Sequence, residues 1–107
     1  MKVENITLWS SDLADLEAYL RNEFRVEYYN STKDMFMIAF EDFFFRTNSK
    51  QLEMIVAKLV GKHIEIDVIG AGGKTGWLIS WDWGSENAFI QRFKRIIETY
   101  KHERGIE

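Results

Sequence analysis

SKQLEMIVAKLV, residues 49–60, followed by Gly61, is the segment on which the architecture turns. Thr47, Asn48 and Ser49 supply side-chain oxygens for the free amides of a helix start. Leu52, Ile55, Val56, Leu59 and Val60 stand at i, i+3, i+4, i+7 and i+8, the apolar stripe of one helix face. Gly61 then offers the left-handed conformation that ends many helices. The spacing predicts a helix here, closed by Gly61.

Upstream, residues 3–9 (VENITLW) read as a strand. Ser10, Ser11 and Asp12 cap a second helix, whose stripe is Leu13, Leu16, Leu20 and Phe24. Residues 25–30 (RVEYYN) read as a strand, Ser31 to Asp34 as a turn, and 35–40 (MFMIAF) as a strand apolar on both faces. Glu41-Asp42 interrupts that run before Phe43-Phe44-Phe45 resumes it, as a bulge, a bend or a tight turn. Downstream, residues 62–69 (KHIEIDVI) alternate, with Ile64, Ile66 and Val68 on one face and His63, Glu65 and Asp67 on the other. GAGGKTG, 70–76, reads as a hairpin loop leading to a strand over 77–83 (WLISWDW). A last helix starts at Gly84-Ser85 and carries Phe89, Phe93, Ile96, Ile97 and Tyr100.

The predicted order is β-α-β-β-α-β-β-α. Its first six elements follow the ferredoxin-like β-α-β-β-α-β order, with an added C-terminal strand and helix. The expectation is an α+β fold: a two-layer sandwich with an antiparallel-rich sheet, built as a single domain over residues 1–107. Element order of this kind carries no function with it.

Composition narrows the chemistry. The 107 residues include no cysteine, which excludes disulfides, thiolate metal sites and cysteine nucleophiles. A net charge of −3 lacks the basic footprint of a nucleic-acid binder. The opening Met1 to Asn5 has no apolar core of a signal peptide, and the longest apolar run, Met35 to Phe40, is far short of the roughly 20 residues a membrane span needs. A cytoplasmic location, with no nucleic-acid or membrane partner, is the expectation.

Gly73-Lys74-Thr75 resembles the end of a phosphate-binding loop. The motif's first glycine would fall at Val68, however, and a strand pattern follows where the motif needs a helix. Lys74 is left as a loose anion contact. His63, Glu65 and Asp67 share a strand face at i, i+2 and i+4, a spacing that can bring an imidazole beside a carboxylate; with Lys74 they form the candidate polar site. No serine sits in a nucleophile elbow, and no catalytic residue, metal ligand set or cofactor is assigned. Arg92, Lys94, Arg95, Lys101 and Arg104 interleave with Glu98, Glu103 and Glu107 as a solvated helix face.

Eight Phe, four Tyr and four Trp exceed what one helix-covered sheet face can bury. Three explanations compete: the last helix crosses to the second face, the strand over 35–40 is central in a curled sheet, or the second face is a protein contact. The expectation is a small non-catalytic binding module that meets a second copy, as a homodimer, or another protein through an aromatic-rich sheet face of Phe36, Phe43, Phe44, Phe45, Trp81 and Trp83. The alternative is a small-molecule sensor or enzyme with a pocket between sheet and helices.

Overall fold

The computed structural model describes residues 2–44, 49–71 and 79–107, and the side chains of 2–41, 51–70 and 88–107. Its elements run β1 (Lys2–Leu8), α1 (Leu13–Glu23), β2 (Tyr28–Ser31), β3 (Met35–Phe44), β4 (Ser49–Val60), β5 (His63–Ala71) and α2 (Ile79–Arg104). The fold is α+β, with two helices and one five-stranded sheet of order β1-β5-β4-β3-β2 in which every neighbouring pair is antiparallel. This differs from the ferredoxin-like order, which needs a helix between its third and fourth strands.

That helix is absent because residues 49–60 form β4, the central strand. Ile55, Ala57 and Leu59 pair with Val68, Ile66 and Ile64 of β5. Ile55 and Ala57 also pair with Ile38 and Phe36 of β3. A strand covered by helices on one face and carrying Leu52, Met54, Val56 and Val60 on the other has apolar residues at both parities. Such a run also satisfies the helical spacing. Gly61 has a positive φ of 64°, as expected, but it serves the two-residue turn between Val60 and His63. Tight hairpins need that conformation as much as helix ends do. The strand expected over 77–83 is also corrected: residues 79–83 belong to α2, so β5 pairs with β1 and β4 instead. In sequence, Ile79 and Trp83 fall in helical phase with Ile90, Phe93 and Ile97, a pattern that short alternation masked.

Glu41-Asp42 makes no break in β3. The ladder runs unbroken from Met35 opposite Lys58 to Phe44 opposite Ser49. Helix α1 forms as read, with the Asp12 carboxylate accepting the Asp15 N–H at 3.1 Å and Leu13, Leu16 and Leu20 buried. It carries the chain from β1 at one sheet edge to β2 at the other.

The buried residues of both helices join one face of the sheet in a single cluster. Helix α1 meets β3 and β4, and α2 meets β1 and β5. At its centre Phe24 stacks on Phe40 with ring centres 4.8 Å apart, and Phe89 meets Phe40 edge-on at 5.8 Å. Pairs of this kind contribute about 0.5–1.5 kcal/mol beyond their burial. Phe36 belongs to this core at 0% exposure, so it is not on the surface that the interaction reading required. The side chains of Phe43, Phe44, Phe45, Lys74, Trp81 and Trp83 lie outside the described residues. Among the described residues, no helix is long and apolar enough to cross a membrane.

Candidate functional site

The helix-free face of the sheet is composed by register. One residue from each strand forms a continuous row: Val3, Ile69, Met54, Ala39 and Tyr28. A second row reads Asn5, Asp67, Val56, Met37 and Asn30. Val3, Tyr28, Leu52 and Val60 are exposed large apolar side chains of this face. The β3–β4 side is therefore apolar, with Met35, Met37, Met54, Val56 and Leu52. The β1–β5 side is polar.

On the polar side, the predicted trio does share one face. His63 Nε2 lies 2.7 Å from Glu65 Oε2. The Thr7 hydroxyl donates to the same carboxylate at 3.2 Å, and the Asn5 amide donates to Asp67 at 2.9 Å. The Trp9 ring, 65% exposed, sits 5.1 Å from the His63 ring. The carboxylate stands between hydroxyl and imidazole, so the imidazole does not touch the hydroxyl it would have to activate. The pattern is cross-strand pairing that fixes β1 onto β5. Among the described residues no His, Cys, Asp or Glu group has the arrangement to hold a metal ion. Sequence reasoning missed Asn5, Thr7 and Trp9; the odd positions of the first strand carry them, but only the register shows what they face.

Two further polar clusters were not foreseen. Gln51 and Glu53 lie on the helix-facing side of β4 with no exposure. The Gln51 amide has no hydrogen-bond partner among the described residues. The second cluster joins the two helices. The Tyr100 hydroxyl donates to Asp15 Oδ2 at 2.7 Å, and Arg104 donates to both Asp15 oxygens at 2.7 and 3.3 Å. The Arg104 guanidinium also lies over the Tyr100 ring at 4.4 Å. The basic stretch of α2 is largely neutralised within the fold: Lys94 pairs with Glu4, Lys101 with Glu98, and Arg104 with Asp15.

This clamp makes stability depend on pH at both ends. The hydrogen bond from Arg104, then that from Tyr100, holds the Asp15 carboxyl below its usual range. A carboxyl depressed in the fold stabilises above its unfolded value near ~3.9, and that stabilisation is lost as pH falls through the folded value. Burial first, then the bond to Asp15, raises the Tyr100 phenol. A raised phenol stabilises fully below about pH 10 and progressively less above it. Urea midpoints across pH should therefore fall at both extremes. Asp15→Asn should flatten the acid limb and Tyr100→Phe the alkaline one; unchanged limbs in these variants would show that the clamp does not control them.

No curated protein and no solved structure matches the chain. A family described as "family of unknown function (DUF6054)" matches residues 11–101. That span opens at the cap of α1 and closes in the last turns of α2, taking in β2 to β5 and the Asp15–Tyr100 pair between them; the chain belongs to this family.

Proposed function

We propose that the protein is a small non-catalytic interaction module that forms a homodimer through the helix-free face of its sheet. The observation that carries the reading is the apolar row crossing all five strands, Val3-Ile69-Met54-Ala39-Tyr28. Among the described residues, the buried side chains of both helices pack with the opposite face of the sheet. Three of the four methionines, Met35, Met37 and Met54, stand on the same face. Methionine is enriched in protein contacts, where its flexible thioether adapts to a second surface. Five strands about 4.8 Å apart and some seven residues long make a plate of roughly 550 Å². With its side-chain relief, that approaches the ~800 Å² per partner of a standard interface.

Phe43 belongs to β3, opposite Lys50 in the ladder, and stays in the proposal on its sequence. Phe44, Phe45, Trp81 and Trp83 stay in the proposal on their sequence alone, their side chains lying outside the described residues. A cytoplasmic setting without nucleic-acid or membrane partners belongs to the same reading.

Light scattering behind size-exclusion chromatography, at several concentrations, tests it. The expected mass is that of two copies. Met54→Glu places two carboxylates near the centre of the face and should weaken association more than about thirty-fold while the circular dichroism spectrum is kept. A single-copy mass at every concentration would overturn the reading.

A further inference from the structure

We infer that the two copies meet in an isologous, face-to-face packing in which Lys58 of each copy pairs with Glu41 of the other. The inference rests on the self-association proposed above and specifies its geometry.

Four directly opposed pairs make up the outer face of β3 and β4: Lys58 with Met35, Val56 with Met37, Met54 with Ala39, and Leu52 with Glu41. Six apolar residues fill this block. A cation occupies one corner and an anion the diagonally opposite corner. Both charged side chains are exposed. The other acids of the face are already engaged, Glu65 by His63 and Thr7, and Asp67 by Asn5. Among the described residues neither Lys58 nor Glu41 forms an ion pair or a hydrogen bond through its side chain; Lys58 stands opposite Glu65 in the β4–β5 ladder, but that carboxylate is taken up by His63 and Thr7. The Glu27 carboxylate accepts the Glu41 N–H at 2.7 Å, which adds negative charge at that corner.

A two-fold axis between the sheets, perpendicular to the strands, exchanges the two ends of the block. It puts Lys58 at the end where the second copy carries Glu41, one strand away. Aligned sheets pack at about −30°. Over the roughly 10 Å from the block's centre to its end, that rotation moves the side chain about 5 Å sideways, one strand spacing. The sense is correct when β1-α1-β2 is a right-handed crossover, as such connections are in nearly all proteins. Both Lys58–Glu41 contacts then close together, around a centre of Val56, Met37, Met54 and Ala39. A self-complementary patch of this kind selects a second copy over an unrelated chain.

Charge reversal tests the pairing. Lys58→Glu and Glu41→Lys should each raise the dissociation constant about ten- to a hundred-fold, since symmetry sets two like-charge contacts into the interface. The double variant should return to within about three-fold of the parent. Raising salt should weaken the parent dimer and strengthen either single variant. Thermal melts establish that each variant is folded, and the milder Lys58→Gln and Glu41→Gln serve if a reversal fails to fold. A parent dimer unaffected by single reversals, or not restored by the double, overturns this pairing and leaves the dimer standing. A parent that is a monomer at every concentration overturns both.

Discussion

Replacing Phe36 with alanine is expected to lower the unfolding free energy by about 3–5 kcal/mol, the cost of an aromatic cavity in a core that cannot fully collapse. Phe36 has no exposure and lies opposite Ala57 of β4 and Ser31 of β2. Its flanking positions are held by ladders on both sides, which limits relaxation. Against a total stability of about 5–15 kcal/mol, such a loss brings the domain close to unfolding at ambient temperature. With a urea slope of about 1.5–2 kcal/mol/M the midpoint should fall by roughly 2 M. Phe36→Leu keeps the volume closer and should cost less than about 1.5 kcal/mol. A surface Phe36, as the sequence led one to expect, would show almost no change in midpoint and a loss of association instead.

Tyr100→Ala is expected to have a comparable effect, for a different reason. The ring is 1% exposed and meets Tyr19 edge-on, with centres 4.9 Å apart. Losing it costs about 3–5 kcal/mol. The hydroxyl can be removed alone. Tyr100→Phe should cost about 1–2 kcal/mol, since the lost hydrogen bond ends on a charged carboxylate that keeps its Arg104 partner. In an Asp15→Asn background the same change should cost measurably less, and the difference from urea midpoints is the coupling between the two side chains. Equal costs in both backgrounds would mean that the hydroxyl works through something other than Asp15.

Where local chemistry is unambiguous, the sequence was readable. Helix α1 carries its own signals: Asp12 as cap, three leucines on one face and a polar remainder. The alternation of residues 63–68 placed His63, Glu65 and Asp67 on one face and Ile64, Ile66 and Val68 in the core, and the structure agrees. Residues 49–60 were misread because a central strand apolar on both sides and an amphipathic helix share the same residues, and Gly61 fits the end of either. The decision between them comes from Phe36, Ile38, Ile66 and Val68, which pair with this segment from both sides and lie outside any local window. The candidate surface was hidden for the same reason. Its apolar row takes one residue from each of five strands, between positions 3 and 69, and no spacing within the chain announces it.

The two margins of the sheet carry a consequence for how large an assembly can grow. Strand β2 offers only four residues, all exposed, and β1 bears Lys2 and Glu4, the latter tied to Lys94. Short or charged margins resist the strand-by-strand addition that leads to fibres. Joining by the broad faces, as proposed above, has no such open end: each of two plates in contact would have covered the apolar face that its described strands present. The face-to-face dimer proposed above would thus stop at two copies, even though newly made chains present a wide apolar surface.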